Sequence, residues 1–282
     1  MKQVTAKEHQ KAVNRVVDYI NHNLEDSLDL QKLAEVAGLS EYHFHRVFKA
    51  TYGENIGEYI VRLRLENAAQ LLKVTESTLD AIALKCGYQT KHALSKAFKK
   101  HFGVSPSAYR KRAKILAAML TKYVPPKTTL NPLVKRIPAK RMVYVRVVGS
   151  PESYGKAWHQ LVEFGKAHQL LYDKTDFIGL SLDDPSVTQP DQCRFYACMT
   201  VNTEVKPIGE FGTQTIDGGL YAIFTFKGAY NGLMSLYYNI YMFWLPESSY
   251  RLRKGISFER YVNHPTYVAE QDLITEVYIP IR

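Results

Sequence analysis

A chain of 282 residues with 46% apolar side chains can fill two cores of ordinary domain size, which excludes a disordered polypeptide. The net charge of +10 is unevenly held: residues 1–140 carry 24 Lys and Arg against 12 Asp and Glu, and residues 141–282 carry 13 against 15. Three cysteines (Cys86, Cys193 and Cys198) in no metal-ligand spacing, no stretch near the roughly 18 apolar residues of a membrane span, and no leader-like apolar N-terminus point to a cytoplasmic protein with reduced thiols.

In chain order, the capping-box pattern Thr5-x-x-Glu8 predicts a first helix with Val13, Val16, Val17, Ile20 and Leu24 on one face. A helix-turn-helix pattern then appears twice. Leu33-Ala34, Ala37-Gly38-Leu39, capping Ser40 and the apolar Phe44, Val47 and Phe48 are echoed by Ile82-Ala83, Cys86-Gly87-Tyr88, capping Thr90 and Leu94, Ala97 and Phe98. The offset is 49 residues before the turn and 50 after it, so a single inserted turn residue accounts for the difference. A small residue at the turn lets the second helix stand proud enough to enter a major groove. Ile56–Leu72 reads as a helix between the units, long enough at about 1.5 Å per residue to set two recognition helices on successive groove faces about 34 Å apart.

With the apolar positions turned inward, the first recognition helix presents Tyr42, His45, Arg46 and Lys49, and the second presents Lys91, His92, Ser95 and Lys96. Arg46 is the candidate for base readout, because a guanidinium can bond guanine O6 and N7 together; the alternatives are a phosphate clamp or a salt bridge with an acid such as Glu41. Lys96 lacks that fork and suits phosphate contact. His43 and His45 diverge by about 200° on a helix, a poor chelating geometry, so no metal is expected.

Residues 113–137 read as a basic linker, without an acidic residue and with Pro125-Pro126. Beyond it the period changes to that of strands. Arg141–Val148, a helix carrying Trp158, Leu161, Val162 and Gly165, then Phe177–Leu182 and Arg194–Val201 form one β-α-β-β unit. Gly219–Lys227, a helix carrying Leu233, Leu236, Tyr237, Ile240, Tyr241 and Trp244, then Phe258–Val262 and Leu273–Ile281 form a second. The expected architecture is therefore an all-α double helix-turn-helix domain over 1–112, the linker, and an α+β domain over 138–282 of two β-α-β-β repeats on an antiparallel sheet. A groove where the repeats meet is the natural place for a ligand.

The run Phe98-Lys99-Lys100-His101-Phe102-Gly103-Val104-Ser105-Pro106-Ser107-Ala108-Tyr109-Arg110, after the doubled pattern, closely resembles the DNA-binding domain of AraC/XylS-type transcription regulators, with the domain placed first as in the Rob-type subgroup. Tyr238–Ser248, Phe258-Glu259-Arg260-Tyr261 and the closing Thr275-Glu276-Val277-Tyr278-Ile279-Pro280-Ile281 resemble GyrI-like effector-binding domains. These resemblances imply double-stranded DNA, a small effector and RNA polymerase as partners, with no cofactor and no membrane. In GyrI-like relatives the glutamate of the closing motif faces the ligand groove and several members bind lipophilic cations, which would make Glu276 the counter-charge. The alternative for Glu276 is a rim glutamate paired with Arg260. Trp244, Tyr196 and Trp158 are the aromatic candidates for the same groove. A second domain that only recruits a protein partner, or a hydrolase using Glu276 as a base, are the competing functions; no Ser-His-Asp or Cys-His arrangement and no phosphate-cradling glycine loop supports an enzyme.

Overall fold

The computed structural model describes the backbone of residues 2–120, 130–150 and 153–282, and side chains for 6–115 and the two later segments. The described chain divides into two compact units, one holding the helices up to residue 120 and the other holding every strand.

In the helical unit, α1 spans Lys2–His22 and so begins before the Thr5-x-x-Glu8 pattern. It is followed by α2 (Leu30–Ala37), α3 (Glu41–Tyr52), α4 (Ile56–Val74), α5 (Leu79–Lys85), α6 (Lys91–Phe102) and α7 (Pro106–Leu120). Each recognition helix starts where a hydroxyl can take an orphan backbone N–H: Ser40 accepts from His43 N, and Thr90 from Ala93 N. Each ends at a glycine in the left-handed region, Gly53 with φ 75° and Gly103 with φ 74°. Val13, Val16, Val17 and Ile20 pack with Leu33, Ala34, Ala37, Phe44 and Phe48 into one core, which Tyr59 of α4 closes. The repeat extends to ring packing, because Phe48, Tyr52 and Tyr59 form a three-ring cluster and Phe98, Phe102 and Tyr109 form its counterpart. All three cysteines are buried. Burial pushes the Cys86 thiol up to about 12, against the pull of Arg64 and Lys85, so it serves as packing.

In the sheet unit, eight antiparallel strands take the order β1-β6-β8-β7-β3-β4-β2-β5. They are β1 (Leu133–Ile137), β2 (Lys140–Val148), β3 (Phe177–Ser181), β4 (Arg194–Thr200), β5 (Phe211–Ile216), β6 (Gly219–Lys227), β7 (Phe258–Tyr261) and β8 (Ile274–Pro280). The two expected repeats are present, with α8 (Tyr154–Ala167) after β2 and α9 (Leu233–Asn239) after β6; a π-helical turn over Ile240–Trp244 continues α9. Two strands extend the pattern. β1 lies inside the segment read as linker and pairs with β6, while β5 pairs with β2, so the strand preceding each repeat borders the other repeat. That exchange covers the outer edge of β2 and β6 and interlocks the halves. The repeats meet at the center, where Gly179 of β3 stands opposite Glu259 of β7.

Strand alternation gives the sheet two faces. One is covered by the helices: Val143, Val145, Phe195 and Ala197 pack with Leu161 and Phe164 of α8, and Ala222, Phe224, Val277 and Ile279 pack with Leu233, Leu236 and Ile240. The other gathers Met142, Tyr144, Ile178, Tyr196, Tyr221, Phe258 and Tyr278 into a separate cluster. No described helix is long and apolar enough to cross a membrane.

Candidate DNA-binding and ligand-binding sites

On α3, burying Phe44, Val47 and Phe48 leaves Tyr42, Arg46 and Lys49 exposed and His45 half-buried. On α6, burying Leu94 and Phe98 leaves Lys91, His92 and Lys96 exposed and Ser95 half-buried. The exposure of the two helices therefore matches closely, Ala97 being half-buried where Val47 is buried, and all eight residues read from the sequence lie on the outward or rim surface. Tyr42 is 73% exposed, and the Arg46 guanidinium lies over its ring with Cζ 5.6 Å from the centroid. Among the described residues Arg46 pairs with no acidic group, so the Glu41 salt bridge does not form and the fork stays available. Lys91, in contrast, lies 3.2 Å from Asp80, an exposed pair of little energetic weight.

The α4 helix supports both units. Asn55 and Glu58 close a reciprocal capping box at its start, and its sides pack against α3, α5, α6 and α7. Arg62 of α4 is buried with Glu54 at 2.5 Å and Glu66 at 3.3 Å. Burial alone would lower its guanidinium, but the Glu54 hydrogen bond and the two carboxylate charges raise it, keeping the cluster ionised.

In the sheet unit, Glu276 lies on the face away from the helices. Its register partner Arg260 bonds it at 3.1 Å and Tyr278 Oη donates to it at 2.8 Å. Arg260 also meets Asp176 at 2.6 Å, and Lys140 meets the other oxygen of Asp176 at 2.6 Å. Glu276 thus sits in an ion network that includes the pairing with Arg260, not in the apolar setting expected from its flanking residues. Tyr196 is on that same face, fully buried and stacked on Tyr144 at 4.6 Å beneath Arg146. Trp244 packs edge-on against Phe224 and stacks on Tyr250 at 6.1 Å. Only Trp158 of the four ligand candidates adjoins the center of the helix-covered face, where its ring meets Tyr261 at 5.5 Å.

A different carboxylate occupies that center. Glu259 of β7 is 6% exposed, and its two oxygens accept from Tyr237 Oη of α9 at 3.2 Å and Tyr261 Oη at 2.7 Å. Trp158 and Tyr230 complete the aromatic surround through Tyr261. Gly179 makes the arrangement possible, since a Cβ there would overlap Tyr261 Oη and touch Phe195. Burial pushes the Glu259 carboxyl up, opposed by the hydroxyls of Tyr261 and Tyr237. No cation among the described residues pairs with it, so both of its partners are neutral phenols, which burial and the nearby carboxylate hold well above their ordinary value. An aromatic enclosure with a single unpaired negative charge is chemically complementary to an apolar cation. In the sequence Glu259 stands within the motif Phe258-Glu259-Arg260-Tyr261 with no role assigned to it. The usable signal was the two-residue spacing of Glu259 and Tyr261, which puts both on one face, together with the glycine 80 residues earlier at the equivalent place in the first repeat.

Paired outward helices on a doubled scaffold, joined to a separate sheet unit, are the architecture of a DNA-binding regulator with a second domain. Residues 131–282 match the model described as the GyrI-like small molecule binding domain, and 33–112 match a helix-turn-helix domain. The chain belongs to the GyrI-like family and carries an AraC-type DNA-binding domain at its N-terminus. It is 27% identical to the right origin-binding protein of Escherichia coli K12 across 94% of this chain and 96% of that protein. It is 34% identical to the multiple antibiotic resistance protein MarA of Salmonella typhimurium over 98 residues, 35% of this chain and 77% of that one. The crystal structure of the EcmrR C-terminal domain covers 55% of this chain and 99% of its own, at 22% identity and a TM-score of 0.47.

Proposed function

We propose that this regulator reads two adjacent major-groove segments of a promoter, α3 choosing the site and α6 helping to hold it, and that an apolar cation at Glu259 biases its action on RNA polymerase in the cytoplasm. The DNA half of the reading is supported by the matched exposure of α3 and α6, by the unpaired Arg46 and by the positive charge of the N-terminal half. The observation that carries the effector half is Glu259: a buried carboxylate with neutral partners only, walled by Trp158, Tyr237, Tyr261 and Tyr230. Trp158 of α8 and Tyr237 of α9 occupy equivalent places in the two repeats, so both repeats contribute to one asymmetric site. The relatives' names are those of regulators and an origin-binding protein, which favors this reading over a hydrolase.

Selection of duplexes from a random library, followed by footprinting of the winner, tests the DNA half. Protection of two groove segments about 34 Å apart on one side of the duplex is the expected result. Protection limited to one segment, or no preferred sequence, would overturn it.

A further inference from the structure

At the first helix-turn-helix turn, a guanidinium from the same unit does the stapling. Arg15 of α1 donates Nε to Val36 O at 3.2 Å and Nη2 to Ala37 O at 2.6 Å, and its Nη2 would lie 3.6 Å from a Cβ on Gly38. At the second turn the guanidinium comes from elsewhere. Arg64 of α4 lies against Gly87, whose φ of 72° makes the turn, so closely that a Cβ there would be 2.6 Å from Arg64 Cζ. Its charge is felt by Cys86 and Tyr88, the residues on either side of that glycine. The same guanidinium donates Nε to Leu24 O at 3.0 Å and Nη2 to Asp26 O at 2.6 Å, both in the loop between α1 and α2.

One side chain on the connecting helix therefore joins the first unit's backbone to the second unit's turn. Arg62, two residues earlier and about 200° around the helix, holds the other side of α4 through Glu54 and Glu66. Rotation of the second unit about α4 would pull Gly87 away from a group anchored on Leu24 and Asp26. The Arg64 fork is rigid and makes its two bonds to two different carbonyls, which fixes an angle as well as a distance.

We propose that Arg64 is a positioning residue for DNA recognition, a brace that sets the spacing and relative angle of α3 and α6 without touching DNA. This rests on the two-segment reading above. It predicts that loss of the brace harms only those duplexes on which both helices must land together.

The test uses the full chain and the duplex that wild-type protein selects from a random library. Affinity is measured on that duplex, on a version with one base pair inserted between the protected segments, and on one with the α6 segment scrambled. Wild type should lose about tenfold or more on insertion. Arg64→Met, which keeps the stem and removes the fork, should bind the selected duplex about tenfold less well, bind the scrambled one as wild type does, and lose little further affinity on insertion. Arg64→Lys should fall between, because an ammonium can still donate to the carbonyls but lacks the planar fork that fixes the angle. An Arg64→Met protein that loses affinity equally on all three duplexes, or that remains as sensitive to insertion as wild type, would overturn the brace. A wild type indifferent to insertion would instead overturn the two-segment reading itself. Helical circular dichroism and the melting temperature establish that each variant is folded before these outcomes are read, and Arg64→Lys carries the same comparison should Arg64→Met not fold.

Discussion

Replacing Glu259 by Gln should make the sheet unit more stable, not less, and the gain should depend on pH. In the fold the carboxyl is raised above its ordinary value of 4.5 because burial disfavors its charge more than two phenol hydrogen bonds favor it. A raised carboxyl binds its proton more tightly folded than unfolded. The unfolded chain therefore releases the proton first as pH rises, and stability falls from about pH 4.5 up through the folded value. Each unit of upward displacement costs about 1.4 kcal/mol above that window. Glutamine keeps an oxygen for Tyr261, and the Tyr237 hydroxyl can turn to accept from the amide. The variant should thus match wild type near pH 4 and exceed it near pH 8, the gap widening as pH rises between them. Urea unfolding followed by tryptophan fluorescence reads this cleanly, because the chain's 2 tryptophans, Trp158 and Trp244, both lie in the sheet unit. A variant less stable than wild type at pH 8, or a difference that does not change with pH, would refute the reasoning.

Other outcomes follow from the same structure. Arg46→Ala should cost about 1 to 3 kcal/mol at one base pair and relax preference there, whereas Lys96→Ala should weaken all sequences alike and reduce the salt slope by about 1, both measured by titration across salt concentrations. Phe48→Ala and Phe98→Ala should each destabilise the helical unit by about 3 to 5 kcal/mol in urea unfolding followed by circular dichroism, since both rings are fully buried at equivalent places. Asp176 behaves oppositely to Glu259: burial would raise it, but the bonds and charges of Lys140 and Arg260 hold it below its ordinary 3.8. Its stabilisation is complete above that value and is lost as pH falls through the folded one. Asp176→Asn should therefore lose on the order of 1 to 2 kcal/mol at pH 7, with the loss shrinking in strong acid; an equal loss at both would count against the ion network.

The helical unit was legible because its signals are local. Caps, turn glycines and three apolar positions per recognition helix lie within a dozen residues of one another, so Ser40, Gly38 and Phe44 already specify which side of α3 faces out. The sheet was legible as two repeats for a similar reason, the switch to two-residue alternation. The edge strands were not, because β1 and β5 are short and half-exposed, and each is defined by pairing with the other repeat, over 80 residues away for β1 and β6. The ligand candidates show the same limit. Alternation placed Glu276 and Tyr278 on one face, but which face the helices cover is a tertiary fact. Glu276 and Tyr196 fall on the face away from the helices with Arg260 and Arg146 as partners, while Glu259 and Trp158 fall on the helix-covered one. Strand parity was available from the sequence; the layer above it was not.

Calorimetric titration of the full chain with two ions of one shape and opposite charge, tetraphenylphosphonium and tetraphenylborate, tests the central claim most directly. Wild type should bind the cation and not the anion, with affinity falling as acid neutralises Glu259, and Glu259→Gln should lose at least tenfold for the cation while Glu276→Gln does not. Equal binding of both ions, or cation binding that survives Glu259→Gln and is lost in Glu276→Gln, would contradict it.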